Sequence, residues 1–353
     1  MSQIEVGILG ATGMVGQQFI ALLSDHPWFR VTWLGASQRS EGKPYRDATS
    51  WRLPAPLPDA VAKMMVDSAT PSRAPGLVFS GLDSSVAGDI EGAFAQAGHT
   101  IVSNSRNFRM EHDVPLLIPE VNGDHLALLE AQASARSWSG RIVTNPNCAA
   151  VVLAMALAPL RQFGLRTAMI TTLQAISGAG YPGVASWDIL GNVIPQIGGG
   201  EEEKIETETK KILGRVSAGA SGARRIDDHP VTISATTTRV PVQNGHTGSI
   251  AVALDQQPDA AAIIEAWSSF KGLPQDMKLP SAPPRPLVYL QEVNRPQPAL
   301  DANRDGGMTV TVGRLRRCPV LGYKFVALGH NTIRGAAGAA ILNAELMRCQ
   351  GLL

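Results

Sequence analysis

Two patterns of hydrophobic and polar positions follow one another along the chain, and they change over near residue 148. In the first, short apolar runs alternate with stretches of helical period. Ile4-Glu5-Val6-Gly7-Ile8-Leu9 reads as a buried strand, and Val15, Phe19, Leu22 and Leu23 then mark one face of a helix. Further strands are predicted at Arg30–Ala36, Leu77–Ser80 and Thr100–Ser103, with a helix at Ile90–Ala97. Between them, Gly42 to Pro75 hold several prolines and few clear periods, so an irregular insertion is expected there.

After an apolar helical run at Val151–Leu157 the pattern turns to β-branched strands. These are predicted at Thr167–Ile176, Val231–Thr238, Ser249–Leu254, Met308–Leu315 and Lys324–Leu328, and they complete a mixed or antiparallel sheet. Helices are expected from Glu201 and at Ala260–Phe270, and the Pro-rich Leu279–Pro298 reads as a loop, a candidate dimer arm. A small-residue helix opens at Asn331, runs to about Met347 and is expected to return to the first domain. The fold class is therefore α/β with two domains. Residues 1–147 and 331–353 form a Rossmann-type dinucleotide-binding domain, and residues 148–330 form an α+β domain. At 353 residues, each part is long enough to bury its own core.

Composition narrows the function classes. Hydrophobic residues make up 44%, charged residues 17%, and the net charge is +1, so no basic face for nucleic acid or a membrane surface is indicated. Three cysteines without metal spacing argue against a zinc site or a disulfide framework. No apolar run is long enough to span a bilayer, and Met1-Ser2-Gln3-Ile4-Glu5 leads straight into a strand with no signal peptide. A cytoplasmic, reducing compartment is the expectation.

The candidate chemistry begins at Gly10-Ala11-Thr12-Gly13-Met14-Val15-Gly16. Between a strand and a helix N-terminus, such a turn cradles a dinucleotide pyrophosphate, here in the variant spacing G-x-x-G-x-x-G. Gly10, Thr12, Gly13, Met14 and Val15 are the cofactor contacts it offers. The second strand ends in Ser37-Gln38-Arg39-Ser40, with no acid for a ribose 2′-OH. Ser37, Arg39 and Ser40 suit a 2′-phosphate, so NADP is the expected cofactor. Ser80, at the end of the third long strand, is placed along the cofactor crevice, and Arg106 and Arg109 lie on a polar loop at the same sheet edge.

Asn145-Pro146-Asn147-Cys148 then sets a single cysteine at the mouth of an apolar helix. There the N–H groups and the macrodipole favour the thiolate, which is the nucleophile. A cysteine taken alone reads as a small buried residue, and it is the position after Asn-Pro-Asn that turns Cys148 to the nucleophile. Asn244-Gly245 projects His246 from a strand end, although by spacing alone a structural histidine is the simpler assignment. The run Glu201-Glu202-Glu203-Lys204, taken alone, reads as a solvated helix face.

Five spaced motifs together resemble the aspartate-β-semialdehyde dehydrogenase family, in its archaeal and fungal branch, over nearly the whole chain. They are the glycine turn at 10–16, Asn145-Pro146-Asn147-Cys148, Gln174-Ala175-Ile176-Ser177-Gly178, Arg239-Val240-Pro241-Val242 with Gly245-His246, and Asn331-Thr332-Ile333-Arg334-Gly335. The resemblance implies a second domain of the glyceraldehyde-3-phosphate-dehydrogenase type that serves catalysis and dimerisation. It also implies an NADP-dependent interconversion of aspartyl-4-phosphate and aspartate-4-semialdehyde, on the route to lysine, threonine and methionine. By the same resemblance Cys148 forms a thioester, His246 is the acid/base with a pKa near working pH, and Gln174 orients the substrate. Arg239 matches the arginine for the α-carboxylate, Arg109 and Lys204 the phosphate pair, Glu201 the acid that meets the amine, and Asn147 a further substrate contact. Ser177, Gly178 and Asn331 match cofactor contacts. No metal is implied, and a homodimer or homotetramer is expected. The rivals are malonyl-CoA reductase, which runs through the same cysteine and NADPH, N-acetyl-glutamyl-phosphate reductase, and a non-catalytic NADP-binding regulatory protein.

Overall fold

The structure is a computed structural model, and it describes residues 3–219 and 224–353. Met1 and Ser2, ahead of the first strand, lie outside the described residues. Strands β1 (Ile4–Leu9), β2 (Phe29–Ala36), β3 (Asp67–Ser68), β4 (Leu77–Ser80), β5 (Thr100–Ser103) and β6 (Arg141–Thr144) form one sheet in the order β3-β2-β1-β4-β5-β6. Every pairing in it is parallel. Parallel strands are covered on both faces, which is why β4 is buried along its whole length. The strand order turns about at β1 and β4, and their carboxyl ends open the crevice where such sheets bind ligands.

Helix α1 (Met14–Leu23) follows the glycine turn and buries Phe19, Ile20 and Leu23 against the sheet. The insertion after β2 is more ordered than its composition suggests. It holds short helices at Tyr45–Ala48 and Asp59–Ala62 and the edge strand β3, and Tyr45 donates to the Ala11 carbonyl at 2.7 Å, which pins the insertion to the turn. Helix α2 (Ser84–Gln96) starts six residues before the predicted Ile90, because Asp83 caps it by accepting the Ser85 N–H. An N-cap of this kind carries no hydrophobic periodicity to read.

Helix α3 (Cys148–Leu157) leads into the second sheet. This consists of β7 (Leu165–Gln174), β8 (Ile194–Pro195), β11 (Thr232–Arg239), β12 (His246–Leu254), β13 (Leu287–Leu290), β14 (Val310–Cys318) and β15 (Gly322–Gly329). A separate ribbon pairs β9 (Arg215–Ala218) with β10 (Arg224–Asp227). The seven-stranded order is β13-β14-β15-β12-β7-β11-β8, with β7 parallel to β11 and antiparallel to β12. Along β7, Ala168, Ile170, Thr172 and Gln174 turn inward while Met169, Thr171 and Leu173 face out. The inner face packs on α3, α4 (Glu201–Leu213) and α5 (Ala260–Ser268) around Leu153, Ile205, Ile212 and Trp267. The Pro-rich stretch 279–298 is not wholly loop. Its four residues Leu287–Leu290 form β13, because β14 supplies a backbone to pair with, and four residues are too few to show an alternation.

The C-terminal segment crosses back. A π-helical turn at Ile333–Ala337 leads into α6 (Gly338–Cys349), whose Ala340, Ile341, Ala344 and Met347 join the core of the first sheet beside Phe19 and Val143. Arg334, fully buried at this crossing, donates two 2.7 Å hydrogen bonds to the Glu120 carboxylate.

Candidate active site

The Asn-Pro-Asn turn is held before it presents anything. Asn145 donates from Nδ2 to Asn104 Oδ1 at 2.9 Å and to the Ala336 carbonyl at 2.7 Å. Asn147 then caps α3, its Oδ1 accepting the N–H groups of Ala149 and Ala150 at 2.9 and 3.1 Å. Its Nδ2 donates to Glu201 Oε1 at 2.8 Å, so both ends of this amide are engaged by the protein. Cys148, first residue of α3, faces a cavity of about 790 Å3 between the two sheets.

Across from it, α4 turns one polar stripe inward: Glu201, Lys204, Glu208 and Lys211, spaced three, four and three residues apart. Lys204 lines the cavity and approaches Glu201 Oε2 at 3.4 Å. Glu208 pairs with Arg109 at 3.0 Å, and Lys211 donates to the carbonyls of Arg109, Glu111 and Val114 at 2.7 to 2.9 Å. The loop that carries Arg109 is thus built onto α4. Glu208 and Lys211 were not marked by the sequence, since a mid-helix Glu and Lys look like any solvated pair.

Sheet register gathers the remaining groups. Arg239 pairs with Gln174 across β11 and β7, and His246 opens β12 next to them. Arg239 donates to the Ala175 carbonyl at 2.7 Å. Gln174 is buried and donates to Thr172 Oγ1 at 3.3 Å. A Cβ on Gly178 would lie 2.9 Å from Arg239 Nη1 and 3.2 Å from His246 Nε2, so the missing side chain leaves room for a ligand against both.

The protonation states depart from the sequence expectation. Burial, with the Glu201 carboxylate beside it, pushes the Cys148 thiol up to about 12, against the smaller pull of Arg109, Arg239 and the Ala149 N–H. His246 is driven down to about 3 by burial and by Arg239 and His330, not held near working pH. In this arrangement both groups are neutral at pH 7. His246 Nδ1 accepts the Ala175 N–H at 3.1 Å, so the ring proton sits on Nε2. That Nε2 is buried with no hydrogen-bond partner among the described residues. It is a donor waiting for an oxygen.

The crevice fits a dinucleotide. Gly10 turns the chain at φ +70°, and the N-terminus of α1 has no side-chain cap, which leaves its N–H groups to an anion. Thr12, Gly13, Met14 and Val15 line the cavity with Ser177, Gly178 and Asn331 on its far side. Asn331 also ties the wall together, accepting the Gly245 N–H at 2.9 Å and donating to Ser177 Oγ at 2.8 Å. Ser37, Arg39 and Ser40 form the turn after β2, outside the cavity lining, and the side chain of Ser40 is buried. Ser80 is fully buried beneath the crevice floor, its carbonyl accepting from Asn104 Nδ2, so it supports the floor without lining the cavity. Of the two loop arginines, Arg109 is buried, whereas Arg106 is exposed and reaches the Gly199 carbonyl at 3.2 Å. The one tight group of metal-type ligands among the described residues, Glu111, His112 and Asp113, lies away from this cavity, and both of its carboxylates meet Arg136.

A family model described as semialdehyde dehydrogenase, NAD binding domain, matches residues 5–129, and one described as semialdehyde dehydrogenase, dimerisation domain, matches residues 157–334. The aspartate-semialdehyde dehydrogenase of Methanothermobacter thermautotrophicus is 47% identical, over 98% of this chain and 99% of its own. The crystal structure of aspartate semialdehyde dehydrogenase with NADP from Candida albicans superposes with a TM-score of 0.90 at 41% identity, covering 99% of this chain and all of that one. A malonyl CoA reductase (NADP) of Metallosphaera sedula is more distant, at 39% identity over 99% of this chain and 98% of its own.

Proposed function

The chain belongs to the aspartate-semialdehyde dehydrogenase family, and from that premise we propose how its residues interconvert L-aspartyl-4-phosphate and L-aspartate-4-semialdehyde. The observation that carries the reading is one cavity lined by Cys148, Arg109 and Lys204 on one side and the α1 N-terminus on the other. A nucleophile, an anion subsite and a dinucleotide cradle share a single space.

In this mechanism Cys148 Sγ attacks the C4 carbonyl, and phosphate leaves with the thiol proton, so a thioester remains. Bound NADPH supplies the hydride that reduces it. The oxyanion that forms on the Cys148 adduct takes its hydrogen bond from His246 Nε2–H, the orphaned donor beside Gly178. Collapse releases the aldehyde and the Cys148 thiolate, which takes a proton from water to restore the thiol. Arg239 receives the α-carboxylate, Arg109 and Lys204 the phosphate, and Glu201 the ammonium group. Gln174 and Asn147 act one layer behind, through the strand end and the helix cap. Ser37 and Arg39, exposed on the turn after β2, take the 2′-phosphate of NADP, and the buried Ser40 supports that turn, its N–H donating to the Ser37 carbonyl.

The partner is a second copy of the chain, seated on the outer face of the second sheet where Met169 and Leu173 are exposed. No helix of the described residues is long and apolar enough to cross a membrane. A reducing, cytoplasmic setting keeps Cys148 a thiol.

Purified protein is mixed with aspartate semialdehyde and NADP, and NADPH absorbance is followed with and without phosphate. Phosphate-dependent reduction that is lost in Cys148→Ser is the expected result. No turnover with the semialdehyde, but NADPH oxidation by malonyl-CoA, would replace the substrate and keep the thioester. Silence with both would leave a non-catalytic nucleotide-binding protein.

A further inference from the structure

Glu208 stands in the middle of the polar stripe of α4 and is only 2% exposed. A buried carboxylate is costly unless both oxygens are occupied. Here each has a different task. Oε1 accepts from Arg109 Nη1 at 3.0 Å, and Oε2 accepts the backbone N–H of Asn147 at 2.6 Å. One carboxylate therefore joins the guanidinium of the anion subsite to the peptide immediately before the nucleophile. The guanidinium is fixed from a second side by Nη2, which donates to the Asn104 carbonyl at 2.6 Å. What remains to it includes Nε, buried and without a partner among the described residues. One turn further along α4, Lys211 holds the backbone of the same loop.

We propose that Glu208 is a positioning residue that couples the phosphate subsite to Cys148, acting through Arg109. It touches neither substrate nor cofactor. By fixing the Arg109 fork and the Asn147 peptide as one rigid unit, it sets the distance between the phosphoryl group and Sγ. It also offsets part of the Arg109 charge, so that phosphate is gripped in one orientation and still released. The inference rests on the acyl-phosphate reading above and deepens it.

Glu208→Gln keeps the volume but offers one acceptor oxygen instead of two, so one of the two links is lost. A hydrogen bond to a charged group is worth enough that its loss should change the phosphate step by about tenfold or more. The experiment is a double-mutant cycle on the phosphate KM and kcat of semialdehyde oxidation, with Glu208→Gln, Arg109→Ala and the pair. The expected result is a phosphate KM raised roughly tenfold by Glu208→Gln in the parent and unchanged by it when Arg109 is already alanine, because the carboxylate acts through that guanidinium. The phosphate-independent first burst of NADPH should change much less than the phosphate-dependent turnover. Additive effects, or equal losses in burst and turnover with a lowered melting temperature, would mark a merely structural carboxylate and overturn the proposal. Should Glu208→Gln not fold, Glu208→Asp, which keeps the charge but shortens the reach, enters the same cycle with the same expected pattern. No phosphate-dependent turnover in the unaltered protein would overturn the reaction and this inference with it; turnover with additive effects overturns this inference alone.

Discussion

At Cys148 a helix end and burial pull in opposite directions. A helix N-terminus favours an anion by about 0.3–1 kcal/mol, which is less than one pKa unit. Desolvation of a thiolate shifts by several units, and the neighbouring Glu201 adds to it, so burial wins and the thiol stands near 12. In the mechanism proposed above the proton of this thiol leaves with phosphate during attack. His246 meets the same constraint from the other side. With Nδ1 occupied by the Ala175 N–H it cannot take a second proton without losing that bond, and in the proposed mechanism it serves as a neutral donor. The space for its acceptor depends on Gly178. Gly178→Ala is expected to fold normally and to lower kcat/KM by about a hundredfold, since a displacement near 1 Å at a reacting centre costs that much. Steady-state kinetics beside a melting curve checks this; a fully active Ala variant would place the acceptor elsewhere.

At the scale of elements, two helices make the site. α3 contributes its first residue and its cap, and α4 contributes a stripe spaced three, four and three residues apart. They meet at Asn147, whose carbonyl oxygen serves α3 and whose amide serves Glu201. Asn147→Ala should lose both services and about 1 kcal/mol of stability from the cap alone. Asn147→Asp keeps a capping oxygen but sets a carboxylate against Glu201, so it should be the more stable of the two in urea unfolding and still catalytically poor. Equal stability of the two variants, or an Asp variant as active as the parent, would show that the cap and the Glu201 contact are not separable. The α4 stripe was legible only in part. Glu201 and Lys204 carried a family spacing, while Glu208 and Lys211 acquire their roles from partners on other elements.

Across the whole molecule, the C-terminal helix packs into the core of the first sheet, and three histidines are buried without an ion-pair partner among the described residues. His125 and His330 are lowered to about 4 and His246 to about 3, each first by burial. Their unfolded value is the ordinary 6.5, so from pH 6.5 downward the unfolded chain binds protons that the folded chain does not. Stability is then whole above pH 6.5 and falls as pH falls toward 4. Each such histidine contributes a slope of up to about 1.4 kcal/mol per pH unit, and the buried Glu91 carboxyl, raised to about 7, opposes them with one slope of the other sign. Denaturant unfolding from pH 7.5 to 5 should show the loss, and His330→Gln should flatten it. A profile with no change over that range would mean that these histidines protonate in the fold.

What the sequence determined by itself was what neighbours along the chain can specify. The glycine turn before α1, the Asn-Pro-Asn turn before Cys148, the β-branched strands and the small-residue helix α6 all lie within a few residues of the signal that marks them. The tertiary structure decided the rest. β13 is a strand because β14 lies beside it, and His246 is neutral because protein from several elements takes its water away, while Cys148 is kept a thiol with the Glu201 carboxylate beside it. Glu208 matters because it meets Arg109 and Asn147, which are 99 and 61 residues away in sequence. Charge state and ion pairing depend on what the fold brings near, and no local pattern encodes that.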